Sequence, residues 1–185
     1  MNKVLPFVIA LVGLGAIPGS SPLFYPSVQS NAPVEFRPAW TEFEWPFLLD
    51  QWGIGRAFVC KPADCGTEVK VYLRPKIGFC NCATGIDDDE ELDRVGDREL
   101  IATEFVASGR GRAIEVASMK GRSRSFENAG DAMRTRLLSI AFHDRCDLIV
   151  AVATFTPGNP NAVEAEVIDF LNSDRVLRWV KWLTL

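Results

Sequence analysis

Residues Asp147–Phe155 read DLIVAVATF, an apolar run that is rich in β-branched side chains. A strand with one exposed face alternates apolar and polar residues. A continuous apolar run is instead typical of a central strand that is buried on both faces of its sheet. The segment therefore predicts a sheet, with this strand at its centre.

Two segments nearer the N-terminus also have the β-branched and aromatic composition of strands, Arg56–Cys60 and residues 68–74. Residues 61–66 between them contain proline, aspartate and glycine, which favour turns, so the pair is predicted to form a hairpin. Pro75 lacks a backbone donor and marks either the end of the second strand or a bulge at a sheet edge. Residues 112–118 predict another strand.

Helices are predicted in three regions, of which two precede the apolar strand. Residues 87–105 begin with acids, which complement a helix N-terminus, and Gly96 divides the segment into two pieces. Residues 127–143 show the clearest helical pattern, with Ser125 as the expected cap. The apolar side chains with helical spacing there are Ala129, Met133, Leu137, Ile140 and Ala141.

The third helix is predicted after the apolar strand. Asn161 and Glu164 have the spacing of a capping box, which predicts a helix that starts there. Residues 176–185 fit either a helix or a short strand. Together the elements predict a single-domain α+β fold, in which about three helices flank a mostly antiparallel sheet.

The N-terminus has the features of an export signal. Residues 1–21 contain Lys3 and then the apolar run 4–17, which is shorter than the about 20 residues that span a bilayer. This predicts a signal peptide and a periplasmic or secreted protein. An uncleaved N-terminal anchor remains the alternative, because neither cleavage position has suitable flanking residues. Residues 22–50 are then predicted to form a proline- and aromatic-rich extended arm, and residues 51–185 the α+β domain.

The arm contains many prolines, which disfavour helix and extend the chain. We expect its aromatic side chains to pack on the domain, because exposing so many of them would favour aggregation. The alternative is that they bind a partner. These side chains are Phe36, Trp40, Phe43, Trp45 and Phe47.

Five cysteines carry most of the reactive chemistry of the chain: Cys60, Cys65, Cys80, Cys82 and Cys146. In an exported protein cysteines form disulfides by default. A bond between Cys60 and Cys65 across the hairpin turn is one option. Pairing of these two with Cys80 and Cys82 is preferred, because a bond from Cys80 to Cys82 would close a small strained ring.

Cys60, Cys65, Cys80 and Cys82 also offer an alternative function, because four thiolates suffice to bind Zn²⁺ or Cu⁺, or to act in redox exchange. Their spacing departs from the usual pairs of C-x2-C, and no cofactor is expected by default. His143, the single histidine, lies near Cys146, which suggests a thiol nucleophile. The position of Cys146 before a buried strand favours a structural role instead.

Charge is unevenly distributed along a chain whose net charge of −4 gives no reason to expect nucleic-acid binding. Residues 87–104 are mostly acidic and residues 110–136 mostly basic. Such runs form either two exposed faces that attract each other or a site for an anionic ligand. The anion-binding candidates are Arg122, Arg124, Arg134 and Arg136.

No familiar catalytic motif occurs, neither G-x-S-x-G, H-E-x-x-H, a Walker loop nor G-x-G-x-x-G. The sequence therefore favours a non-enzymatic accessory or binding protein, stabilised by disulfides, whose partner is an envelope protein or an anionic ligand. A hydrolase whose site is assembled only by the fold is a further alternative. Trp179 and Trp182, beside basic residues, suggest peripheral contact with a membrane.

Overall fold

The computed structural model describes residues 38–78, 82–128, 135–156 and 159–183, which belong to the compact unit Phe36–Leu185. Eight strands in these ranges form one antiparallel sheet, in the order β1-β2-β3-β8-β7-β6-β4, with β5 also paired to β6. The strands are β1 (Trp40–Phe43), β2 (Arg56–Cys60), β3 (Val69–Lys76), β4 (Phe105–Ala107), β5 (Arg112–Val116), β6 (Met119–Asn128), β7 (Arg136–Asp144) and β8 (Asp147–Phe155).

Four α-helices and one 3₁₀ helix accompany the sheet in the described part of the chain. They are α1 (Pro62–Cys65), α2 (Asp89–Val95), the 3₁₀ helix Arg98–Leu100, α3 (Pro160–Leu171) and α4 (Asp174–Leu183). The fold is therefore a single-domain α+β fold, as the sequence predicts. Within these ranges no helix is both long and apolar enough to cross a membrane.

Strand β8 is the buried central strand that its sequence predicts. It lies between β3 and β7, and its side chains from Leu148 to Ala153 are at most 1% exposed. On one face, Ile149 and Ala151 belong to the main core with residues of α3 and α4. On the other face, Leu148 and Val150 pack with residues of α2. A strand covered on both faces has no polar face, which explains the continuous apolar run.

The helix predicted over residues 127–143 is wrong. Strand β6 extends to Asn128, and residues 136–144 form β7, which lies between β6 and β8. Leu137 and Leu138 point to opposite faces, yet both are fully buried. In a strand that is buried on both faces nearly every residue is apolar, so apolar residues also occur three and four positions apart, as they do in a helix. Residues 129–134 lie outside the described ranges, and Ser125, the predicted cap, pairs with Leu138 within the sheet.

The segment 87–105 contains two helical pieces separated at Gly96, as expected, but they cover only Asp89–Val95 and the 3₁₀ helix Arg98–Leu100. Its last residue, Phe105, instead begins β4. Helix α3 begins two residues earlier than predicted, because Asn159 is the cap and accepts a hydrogen bond from the Asn161 amide at 3.0 Å. Pro160 then occupies the first turn, where a missing N–H has no cost.

The remaining local predictions can be compared directly with the structure. Strands β2 and β3 form the expected hairpin, whose connection contains the short helix α1. Pro75 does not end β3, which continues to Lys76. Strand β2 begins at Arg56 opposite Leu73, so Pro75 has a strand on one side only, a position that tolerates proline. Residues 176–183 continue helix α4, which resolves the choice between helix and strand.

The described part of the proposed arm, residues 38–50, lies against the sheet. Strand β1 pairs with β2, and the Trp40 ring stacks on Phe170 of α3 with the ring centroids 4.4 Å apart. Trp45 and Phe47 make edge contacts with the Tyr72 ring of β3. Sheet formation thus begins before residue 51.

Candidate functional site

A bulge in the edge strand of the sheet creates the candidate site. Strands β4 and β5 lie end to end along the same side of β6, with Ala107 opposite Phe126 and Arg112 opposite Ser123. Four residues, 108–111, therefore lie opposite the two residues of β6 between those partners. The edge strand thus has two extra residues at this point, and bulges are common next to active sites.

A pocket of about 270 Å³ opens between this bulge, β6 and the start of α3. Three arginines and one carboxylate line it: Arg110, Arg112, Arg124 and Glu164. The hydroxyl groups of Ser108, Ser123 and Ser125 add neutral hydrogen-bonding groups to the walls. Pro160 and Asn161 place the N-terminal turn of α3 at the pocket, and its partial positive charge adds to that of the arginines.

Ion pairs hold two of the three arginines in place. The Arg124 Nη1 atom lies 2.6 Å from an oxygen of Asp93, and its Nε donates to the Gly109 carbonyl at 3.0 Å. Arg112 donates to Glu164. Arg110 is exposed and has neither an ion pair nor a hydrogen bond to any described residue. Its charge therefore remains available to a ligand.

Glu164 is 5% exposed, which is unusual for a carboxylate. It accepts hydrogen bonds from the Ser123 hydroxyl and from Arg112, so the charge is compensated. These bonds join the first turns of α3 to β5 and β6, and they position the two walls of the pocket. The capping-box interpretation of Glu164 is wrong because its side chain turns into this contact.

The acidic and basic runs of the sequence meet beside the pocket. Arg122 lies 2.6 Å from Asp89, and Arg124 lies 3.8 Å from the second oxygen of the same carboxylate. Asp89 also accepts the Gly111 amide hydrogen at 3.0 Å, so this side chain of helix α2 bonds directly to the backbone of the bulge. The two runs therefore attract each other, as one of the two interpretations expects.

The arginines singled out from the sequence are distributed differently from the pocket. Arg124 lines the pocket, whereas Arg122 faces Asp89. Arg136 pairs with Glu127 at 3.1 Å, and Arg134 lies outside the described residues. Sequence reasoning missed Arg110 and Arg112 as site residues. Their signal was the Gly-Arg-Gly sequence at 109–111, which lies between two strand-forming segments.

Acid is expected to release the bulge from α2. The pKa of Asp89 is lowered, first by the hydrogen bond from the Gly111 amide and also by Arg122 beside it. A carboxylate with a lowered folded-state pKa stabilises the fold above its unfolded pKa of about 3.9, and this contribution is lost as pH falls through the folded value. The Gly111 amide proton shift should therefore titrate with a midpoint below about 3.9.

The variant Asp89→Asn should abolish this titration. The matched control Asp169→Asn, at an exposed position on α3, should leave it intact. A Gly111 amide that titrates at the unperturbed value, or that still titrates in Asp89→Asn, would contradict the assignment of Asp89 as the residue that holds the bulge.

The cysteines form two disulfides, Cys60–Cys65 and Cys82–Cys146. The preferred pairing of Cys60 and Cys65 with Cys80 and Cys82 is therefore wrong. Helix α1 turns the chain back after β2 and brings the Cα atoms of the first pair to 6.0 Å. The turn between β7 and β8 brings Cys146 to Cys82, with the Cα atoms 4.4 Å apart. Cys80 lies outside the described ranges.

This pairing changes the predicted thiol chemistry. Cys146 has no free thiol, so the proposed nucleophile with His143 is wrong. Cys60, Cys65 and Cys82 likewise offer no thiolates to a metal ion in this state. Among the described residues, no group of three or more histidine, cysteine, aspartate or glutamate side chains is arranged to hold a metal ion.

The sequence was also compared with known proteins. It matches no model of a protein family, and no curated protein is significantly similar to it. The functional argument therefore depends on the arginine-lined pocket and on its surroundings.

Proposed function

We propose that this chain is an exported, non-enzymatic binding protein that holds an anionic ligand in the arginine-lined pocket. The observation that carries the proposal is the position of Arg110. It brings a guanidinium that makes no ion pair or hydrogen bond with a described residue to a concave site that already contains serine hydroxyls and two further arginines. Guanidinium groups bind carboxylates and phosphates through paired, charge-assisted hydrogen bonds. The ligand is the anionic part of an envelope component.

The proposed periplasmic or secreted location has two supports. One is the short apolar leader after Lys3. The other is the pair of disulfides, which form and persist mainly in oxidising compartments. The disulfides also disfavour the alternative of a thiol-based metal or redox protein, because they occupy three of the four sulfurs that this function requires.

The aromatic arm and the C-terminal tryptophans are weaker candidates for the binding surface. Trp40 is stacked on Phe170, and Trp179 packs against the main core. Trp182 is 76% exposed, and it is the residue through which peripheral membrane contact would occur. It lies on α4, and it does not line the arginine-lined pocket.

Replacing Arg110 with glutamine should weaken anion binding about tenfold. Hydrogen bonds to charged groups contribute about 1.5–3 kcal/mol, and one such contact is removed. The probes are acetate and inorganic phosphate, titrated at low ionic strength with the amide shifts of residues 109–112 as the readout. Since Arg110 pairs with no described residue, the substitution should leave the free energy of unfolding unchanged within about 0.5 kcal/mol.

The matched control is Lys61→Gln, which removes the same charge from an exposed position in the β2–β3 connection. It should bind both anions like the unmodified protein. Equal weakening by the two variants would indicate a general effect of net charge and would refute a site at Arg110. Absence of any saturable shift near the bulge would refute the proposed function itself.

A further inference from the structure

Strand β5 leaves one of its edges unpaired. Its inner edge pairs with β6, from Arg112 opposite Ser123 to Val116 opposite Met119. In the described parts of the chain, no strand pairs with its outer edge. An unpaired edge presents backbone N–H and C=O groups that can pair with another extended chain. Peptide recognition by strand addition uses such an edge.

A groove runs beside this edge, between β5 and α3, with a volume of about 400 Å³. Its apolar lining comes from Ile114 on the strand and from Ala165 and Ile168 on the helix. Arg112 and Glu164 line both this groove and the arginine-lined pocket. The two cavities are therefore adjacent parts of one channel, which is basic at one end and has an apolar patch farther along.

We propose that this channel binds the free C-terminal end of an extended peptide, an inference that rests on the proposed anion-binding function. The terminal carboxylate occupies the pocket at Arg110 and Arg112. The backbone of the peptide pairs with the outer edge of β5. The last side chain, which is apolar, enters the groove between Ile114 and Ile168.

The geometry also sets the direction of the peptide. The arginine-lined pocket lies at the start of β5, so a peptide whose C-terminus is there runs antiparallel to β5 and continues the antiparallel sheet. Glu115 lies three residues along β5, a distance of about 10 Å at 3.3–3.4 Å per residue. Its exposed carboxylate lines the groove and favours a basic residue about three positions before the peptide C-terminus.

A small inorganic anion would use only part of this channel. It would contact the arginines and leave both the apolar lining and the strand edge unoccupied. A peptide terminus carries a carboxylate, backbone hydrogen-bonding groups and an apolar side chain in the order in which the channel offers their partners. The charge and the shape of the channel together therefore favour a peptide C-terminus, whereas the arginines alone indicate only an anion.

The test uses the purified protein and a fluorescein-labelled peptide, Gly-Ser-Lys-Ser-Ser-Val, with either a free or an amidated C-terminus. We expect the free-acid peptide to bind with saturable anisotropy and the amidated peptide to bind at least tenfold more weakly. The free-acid peptide should also shift the amides of residues 112–116. Equal affinity for the two forms would overturn the proposal.

The variant Ala165→Gln extends an exposed helix side chain into the groove, and Ala162→Gln makes the same change at an exposed position that does not line it. Peptide binding should fall at least tenfold in Ala165→Gln only, while acetate binding is kept in both. Unchanged peptide binding in Ala165→Gln would overturn the proposal.

The remaining outcomes separate this inference from the function on which it rests. Saturable binding of acetate or phosphate without binding of the free-acid peptide refutes the peptide site and leaves anion binding intact. Absence of binding by all three refutes both. A protein dimer in sedimentation that Ala165→Gln dissociates would assign the β5 edge to a second copy of the chain and would also overturn the proposal.

Discussion

The variant Asp97→Asn is expected to lower the free energy of unfolding by about 3–5 kcal/mol, because it removes the buried negative charge that lies between two buried cations. Asp97 is 6% exposed and lies against two cations that are buried to the same degree, Arg74 and Lys76. Its Oδ1 atom accepts from Arg74 at 2.8 Å and lies 2.7 Å from the Lys76 Nζ atom. Asparagine retains the shape of the side chain but not its charge.

This ionic cluster connects three parts of the structure. Arg74 and Lys76 extend from β3, and Asp97 follows the helix α2. Arg74 also reaches Asp50, in the segment before β2, at 2.6 Å, and Lys76 donates to the carbonyl of Val95 at 2.7 Å. Asp50 is partly exposed and cannot by itself compensate two buried cations. Losing Asp97 therefore removes the carboxylate that both Arg74 and Lys76 contact.

Urea unfolding followed by circular dichroism measures the effect, with the slope of the transition compared between variants. Asp169→Asn, the same substitution at an exposed position, should change the free energy of unfolding by no more than about 0.5 kcal/mol. A loss below about 1 kcal/mol in Asp97→Asn would show that the two cations are compensated by other groups, and would contradict the role given to Asp97.

The sequence predicts the class of the fold because the fold depends on features that are local. The run DLIVAVATF is apolar at nearly every position and rich in β-branched residues, which favours a strand with both faces covered. The hairpin of β2 and β3 follows from two strand-forming segments around a proline- and glycine-containing turn. In such segments composition, periodicity and turn chemistry agree, and the environment in the folded protein does not override them.

The wrong helix at 127–143 shows where periodicity fails. The buried run of β7 is apolar at nearly every position, so it satisfies the helical pattern and the strand pattern equally. The strand conformation of this segment is decided by its pairing with β6 on one side and β8 on the other. Both pairings exist only in the folded sheet. The same ambiguity applies to β8, but the sequence Pro-Gly-Asn-Pro at 157–160 predicts a break between that strand and the following helix.

The candidate site was harder to predict because its parts are distant in sequence. Arg112 and Glu164 are 52 residues apart, and Arg122 and Asp89 are 33 residues apart. Composition shows that acidic and basic runs exist, but only the fold determines which charges neutralise each other. Arg110 differs from the neighbouring arginines because they form ion pairs in the folded protein. The sequence alone does not show which arginines are paired.

Removing the Cys82–Cys146 bond should destabilise the protein by about 4 kcal/mol, roughly twice the effect of removing Cys60–Cys65. In the chain-entropy description a disulfide stabilises by restricting the unfolded chain, and the effect grows with the logarithm of the loop that it closes. The two bonds join residues that are 64 and 5 apart. The longer loop corresponds to about 4 kcal/mol and the shorter to about 2 kcal/mol.

The measurement compares urea unfolding of the paired variants Cys82→Ser with Cys146→Ser and Cys60→Ser with Cys65→Ser. Cys80→Ser is the control, because it removes a sulfur from neither bond. A peptide map without reductant should first contain the two cross-linked peptides and none that joins Cys60 or Cys65 to Cys82. A map with such a cross-link would refute the pairing. With the pairing intact, equal losses in the two variants would show that loop length does not set the stabilisation, and that contacts of the bridges in the folded state do.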